Sequence, residues 1–244
     1  MPYRFLSRLR PLLRRLPTML PSSCALCGVD HHHALCHHCM HRFFNFSTTR
    51  CVQCGVAVDN SHTRCGHCLR TLPTFDATIV ACDYAPPTDQ LVLALKFGSR
   101  LALAPLLADL LCHALLQRTN TPLPDILTVV PLGPHRLAER GFNQSLEIAR
   151  PLAAASGIPL HPHLITRIRE TPAQTSLLPR QRHHNVRHAF ALQPDMQHVI
   201  AGRHIAVLDD VMTTGHTLDE IAILLKQHGA SRVTNLAFAR TPPS

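Results

Sequence analysis

Two sets of residues in this chain have the types and spacing to do chemistry. The first is the run Ile205-Ala206-Val207-Leu208-Asp209-Asp210-Val211-Met212-Thr213-Thr214-Gly215-His216-Thr217. An apolar, strand-like stretch runs into two carboxylates and then into a turn of small residues that opens a helix. The unbonded backbone amides at that helix start, with the hydroxyls of Thr213, Thr214 and Thr217, make a cradle for a phosphate at the carboxyl edge of a sheet. Asp209 and Asp210 emerge just ahead of the cradle, about one pentose away, where they accept hydrogen bonds from sugar hydroxyls. Carboxylates beside the cradle repel a bare phosphate, so the arrangement suits a sugar phosphate carried with a divalent metal ion. Thr217 and Glu220 have the spacing of a capping box for the helix.

The second set is eight of the ten cysteines, in four C-x2-C pairs: Cys24/Cys27, Cys36/Cys39, Cys51/Cys54 and Cys65/Cys68. A two-residue gap lets a tight turn aim both sulfurs at one tetrahedral ion. Taken in order, the pairs make two zinc ribbons in tandem; an interleaved cross-brace has the same spacing. A disulfide framework requires an oxidising compartment and an export signal, and Arg8, Arg10, Pro11, Arg14, Arg15 and Pro17 break any apolar core in the first twenty residues. Zinc in a reducing compartment, the cytoplasm, is the expectation. His31, His32, His33, His37, His38, His41, His62 and His67 surround the pairs, but eight thiolates already fill two sites. Cys82 and Cys112 read as small core residues.

Elements of two kinds must position these groups. The first 70 residues hold nine arginines against Asp30 and Asp59, so most of the net charge of +9 lies there. Eight thiolates on two zinc ions carry four negative charges and offset much of that surplus, which favours a structural staple over a nucleic-acid reader. Ahead of the ribbons, Phe5, Leu9, Leu12, Leu13 and Leu16 have near-helical spacing. From residue 71 the pattern is α/β. Strands are expected at Ala77 to Tyr84, Ile126 to Val130, His204 to Leu208 and Val233 to Ala239. Helices are expected at Thr88 to Phe97, Leu101 to Gln117, Asn143 to Ala155 and Leu218 to Gln227, with Gly98 as a breaker. Strands alternating with helices imply a parallel sheet covered on both faces. Residues 166 to 187 lack a period and read as a long loop. The expected division is an N-terminal segment 1–20, a double zinc ribbon 21–70 and an α/β domain 71–244. No apolar run is long enough to cross a bilayer, which argues against membrane insertion.

The acidic turn resembles the motif that binds 5-phosphoribosyl 1-diphosphate (PRPP) in type I phosphoribosyltransferases. The remaining motifs narrow the likeness. Val130-Pro131-Leu132, His135-Arg136, Arg140-Gly141-Phe142-Asn143-Gln144, Thr171-Pro172-Ala173-Gln174, Arg182, Asn185-Val186 and Ala189-Phe190 together resemble the ComF family. In that family a cysteine-rich zinc module precedes a phosphoribosyltransferase-like domain, and members are associated with natural competence. The resemblance spans residues 20 to 240. It implies that Asp209 and Asp210 take the ribose hydroxyls and that Thr213, Thr214, Gly215, His216 and Thr217 take the 5′-phosphate. It also implies that the loop Pro131 to Gln144 takes the diphosphate through Arg136 and Arg140, and that residues 171 to 187 form a lid. Lys96, one of two lysines among 24 basic residues, lies in an L-K-F-G segment that recurs in ComF-like chains; it is a further candidate for the diphosphate, or a helix-end charge. His216 stands where the motif often has a small side chain or lysine.

The resemblance implies Mg²⁺-dependent transfer of a phosphoribosyl group from PRPP to an acceptor that the sequence does not identify. The alternatives are a PRPP-sensing or DNA-processing binding protein using the same pocket, and a zinc-stapled scaffold. PRPP is the expected ligand; single-stranded DNA and competence proteins are the expected macromolecular partners.

Overall fold

The computed structural model describes residues 22–98, 100–117, 122–169 and 187–243. The helical segment expected before residue 21, and Thr171 to Val186 of the expected lid, lie outside the described residues. By contacts the chain forms two compact units, Met1–Asn45 and Phe46–Ser244.

The first unit is a ribbon. Strands β1 (Ser22–Ser23) and β2 (Asp30–His31) pair antiparallel, and helix α1 (His37–Phe43) starts at Cys36 as its N-cap. The turn between Cys24 and Val29 closes through Cys24 N–H to Val29 O at 2.8 Å and Gly28 N–H to Cys24 O at 2.9 Å. The second ribbon repeats the design: Cys51 N–H bonds Val56 O, Gly55 N–H bonds Cys51 O, and α2 (Gly66–Arg70) starts at Cys65. The turn glycines Gly28 and Gly55 have matching left-handed φ values of 73° and 74°, a conformation that costs other residues about 1–2 kcal/mol.

The second unit is built on four parallel strands in the order β3 (Ala77–Asp83), β8 (Arg232–Arg240), β7 (His204–Met212), β4 (Ile126–Val129). Their apolar, β-branched runs are buried on both sides, as parallel strands require. Ile205 and Val207 of β7 join one core cluster with Leu218, Ile221, Ala222 and Leu225 of α8 (His216–Gln227). Alternate residues point the other way, where α4 (Ala104–Leu116) and α6 (Gln144–Ser156) pack on each other and on the sheet. Ahead of α4, α3 (Asp89–Phe97) ends at Gly98. A short helix α5 (Pro134–Arg140), between Pro134 at its start and left-handed Gly141 at its end, occupies most of the stretch expected as the Pro131 to Gln144 loop. Beside the sheet, β5 (Ile165–Arg167) and β6 (Phe190–Leu192) pair antiparallel, so the expected long loop starts in strand and a second strand begins just after its end; α7 (Gln197–Ile200) follows.

The second ribbon belongs to this unit. Thr78 N–H bonds Val52 O at 3.0 Å, Thr78 Oγ1 donates to Gln53 O at 2.7 Å, and Gln53 Nε2 donates to Phe75 O. Arg50 pairs with Asp83 at 2.6 Å. The ribbon therefore covers β3, an edge strand that would otherwise offer unpaired backbone groups. Cys51, Cys54 and Cys68 are buried in the same cluster as Val80, Phe75 and Met212. Clustered cysteines mark shared chemistry, whereas packing groups the second ribbon with the sheet and leaves the first in its own unit.

Candidate active site at the carboxyl edge of the sheet

Strand register decides what surrounds the acidic pair. Val129 lies opposite Leu208 in the β4–β7 ladder, and Val130 N–H bonds Leu208 O at 2.9 Å. The Pro131–Gln144 connection therefore leaves β4 level with Asp209. Asn143 pins its far end: its side-chain amide donates to Val130 O at 3.0 Å while its Oδ1 accepts from Ser145 N–H, capping α6. That cap aims Ser145 at the site, and Ser145 Oγ donates to Asp209 Oδ1 at 3.3 Å. Ser145 was not among the residues singled out from the sequence; the cap position of Asn143 at a helix start is the signal that points to it.

β7 does not stop before the carboxylates. It continues through Asp209 and Asp210 to Met212, because β8 still pairs with it there. Asp209 Oδ1 accepts from Asp210 N–H at 2.9 Å and Asp210 Oδ1 from Val211 N–H at 2.8 Å. Lys96, in the last turn of α3, brings Nζ to 2.7 Å from Asp210 Oδ2, a close ionic contact whose approach departs from hydrogen-bond alignment. Burial, and then the adjacent Asp210 carboxylate, push Asp209 up to about 7, with Lys96 opposing the rise. Arg140 stacks its guanidinium 5.1 Å from the ring centre of Phe97, next to Lys96. The structure thus brings Lys96, Ser145, Asp209 and Asp210 together, and sets Arg140 against the residue beside Lys96. Arg136 is half-buried on α5.

The turn after β7 has left-handed Gly215 (φ 86°) as the N-cap of α8. The helix begins at His216, ahead of Thr217, and carries no side-chain cap bond, so the expected Thr217/Glu220 capping box does not form. Glu220 Oε2 accepts from His188 N–H at 3.3 Å instead. Gly215 has no side chain to accept from the first amides of α8, the groups that a helix start offers to an anion. A Cβ at Gly215 would meet Met212 Cε at 2.6 Å. Thr214 Oγ1 and His216 Nδ1 share a hydrogen bond of 3.2 Å across the turn, which places His216 in the loop's internal bonding. Asp219, in the first turn of α8, accepts from Thr74 N–H at 2.5 Å. A further cleft of about 240 Å³, lined in part by His188, Phe190 and Glu220, excludes Asp209 and Asp210.

The cysteine sets resolve in sequential order. Cys24, Cys27, Cys36 and Cys39 form one cluster and Cys51, Cys54, Cys65 and Cys68 the other, each with all sulfurs within 4.8 Å. Cys27 Sγ to Cys36 Sγ is 3.7 Å and Cys54 Sγ to Cys65 Sγ is 3.6 Å. Four sulfurs at zinc's bond length of about 2.3 Å stand about 3.8 Å apart at tetrahedral corners, so both sets fit zinc. The cross-brace is excluded, and among the described residues no histidine joins either cluster. Burial works against ionising Cys51, but backbone amides of Cys54, Cys65 and Gln53 more than offset it and draw the thiol down to about 7. Among the described residues, no helix is long and apolar enough to cross a membrane.

Comparison with known proteins agrees with both halves. Residues 16–79 match the double zinc ribbon domain model and residues 143–242 the phosphoribosyl transferase domain model. Among solved structures the chain is similar to glutamine PRPP amidotransferase from B. subtilis (22% identity, 55% of this chain and 26% of that one, TM-score 0.36). It is 37% identical over 228 residues, 91% of this chain and 98% of the relative, to DNA utilization protein YhgH of Escherichia coli K12. Competence protein F of Haemophilus influenzae is 30% identical over 209 residues, 84% of this chain and 90% of that protein. With whole-length relatives at that identity, and the two domain matches in the order the cysteines and the acidic turn imply, the chain belongs to the ComF family.

Proposed function

We propose that the carboxyl edge of the sheet binds PRPP with Mg²⁺, and that the protein transfers the phosphoribosyl group to an acceptor met in the handling of DNA. The observation that carries this reading is the path of β7. It runs unbroken to Asp209 and Asp210 and turns through Gly215, the side-chain-free N-cap, into α8, with Ser145 bonded to Asp209. In this reading the first amides of α8 and the hydroxyls of Thr213, Thr214 and Thr217 hold the 5′-phosphate. Asp209 and Asp210 orient the ribose hydroxyls. Arg136 and Arg140 stabilise charge that grows on the departing diphosphate. Asp209 and Asp210 would hold Mg²⁺ together with the ligand, and the ion would supply neutralisation of the diphosphate charge. Lys96 balances the paired carboxylates while the ligand is absent. The names of the relatives suggest competence or DNA utilization as the setting, with single-stranded DNA or competence proteins as partners.

Titration calorimetry of the zinc-loaded protein with PRPP and Mg²⁺ tests the reading. Binding is expected, and Asp209→Ala with Asp210→Ala should weaken it at least about tenfold, the loss of about 1.4 kcal/mol. No heat with the wild-type protein overturns it. Diphosphate release in the presence of candidate acceptors then separates transfer from a stoichiometric complex. The salt dependence of single-stranded DNA affinity tests direct contact with phosphates, and a flat response removes it.

A further inference from the structure

The C-terminal residue of β8 does work that the proposed chemistry does not account for. Arg240 is 9% exposed, and among the described residues no carboxylate pairs with it. Its donors instead go to backbone carbonyls. Nε donates to Cys54 O at 2.9 Å, and NH1 donates to Met212 O at 3.1 Å, to Thr213 O and to Thr241 O at 2.7 Å. Cys54 is a ligand of the second cysteine cluster; Met212 and Thr213 are the last strand residue and the first turn residue of the phosphate loop. One planar guanidinium thus clamps a metal-site turn to the loop.

A second link runs in parallel. Gln53, between two cluster ligands, donates to Phe75 O, and Phe75 packs within 3.9 Å of where a Cβ on Gly215 would stand. Thr74 N–H bonds Asp219 at the start of α8. Under the ribbon the packing is tight: a Cβ at Gly55 would run into Val80 Cγ2. A carbonyl on the Cys54 turn can hold Arg240 only if that turn has one shape, and four thiolates on one ion impose it.

We infer that Arg240 is a positioning residue for the phosphate loop and that the second cysteine cluster, unlike the first, is part of the ligand site through it. The guanidinium also places a buried positive charge between the thiolate cluster and a loop that would receive an anion. The inference about the ligand rests on the phosphoribosyl reading; the mechanical coupling does not.

The test uses full-length, zinc-loaded chains and two readouts, hydrogen exchange at the amides of Thr213 to Thr217 and PRPP affinity with Mg²⁺. Cys65→Ser should lose one zinc equivalent, speed exchange in the loop about tenfold and weaken PRPP about tenfold. Cys27→Ser should lose one equivalent from the first cluster and change neither. Arg240→Met should keep two zinc ions yet reproduce the loop effect, with Arg240→Lys between it and the wild type. Equal loop responses to Cys27→Ser and Cys65→Ser, or unchanged exchange in a two-zinc Arg240→Met chain, overturn the coupling. If Arg240→Met does not fold, the two cysteine variants decide. Wild-type protein that shows no PRPP heat refutes the pocket reading, and the exchange measurements still decide the coupling.

Discussion

Replacing Lys96 by Met keeps an unbranched apolar stem, one atom shorter, and removes the charge. In the folded protein Lys96 Nζ sits 2.7 Å from Asp210 Oδ2, with the two side chains 20% and 10% exposed. Met therefore leaves a carboxylate enclosed without its partner. Breaking a buried pair from one side costs about 3–5 kcal/mol, and the residual exposure of both groups places the loss near the lower figure. For a chain of this size, each kcal/mol lowers the melting temperature by about 2–4 °C, so a fall of about 6–12 °C is expected. Lys96 also restrains the rise of Asp209; without it Asp209 holds its proton to higher pH, and binding of Mg²⁺ with PRPP at pH 7 weakens as well. Thermal melts followed by circular dichroism, at constant zinc, measure the shift, and urea melts measure the free energy. Asp210→Asn in the Lys96→Met background should restore much of it, because the orphaned charge is gone. A Lys96→Met protein that melts within about 1 °C of wild type, with no effect of Asp210→Asn in that background, would refute the reasoning; the contact would then be an ordinary surface pair worth about 0–1 kcal/mol.

Asp209, raised from 3.8 to about 7, makes the folded state hold a proton that the unfolded chain has released; its stabilising contribution is full below about pH 4 and is lost as pH rises through 7. The proposed PRPP binding uses the carboxylate, so calorimetry from pH 6 to 8 should show affinity increasing with pH and proton release below 7; a flat profile contradicts the assignment. Gly215→Ala places a side chain at φ 86° and should cost about 1–2 kcal/mol and weaken PRPP. Met212 Cε, the near contact, is the free end of a flexible chain, so backbone strain sets the magnitude in a urea melt. Metal analysis should return two zinc equivalents, with Cys82→Ala and Cys112→Ala retaining both. Burial pushes the Cys82 thiol up to about 12, and alkylation mapped by mass spectrometry should leave it unmodified in the native protein.

Local order was legible wherever short-range pattern and local chemistry agree. C-x2-C spacing is a property of one turn, so the ligand identities could be read directly. The acidic pair and the glycine turn follow from an apolar run meeting small residues, and Gly98 marks a helix end because nothing distant is needed to stop a helix there. The Pro134 and Gly141 boundaries of α5 are present in the sequence too, but a seven-residue helix has little periodicity to show. What the sequence by itself determined, then, is the order of elements, the metal ligands and the placement of Asp209 and Asp210 ahead of a glycine turn that opens a helix. The tertiary structure alone decided which cysteine pairs share an ion, the extension of β7 through the carboxylates, the seating of the second ribbon on β3, and the meetings of Lys96 with Asp210 and Arg240 with Cys54 and Thr213. Each of these joins residues far apart in the chain, and strand register and buried packing, which no local spacing encodes, bring them within bonding distance.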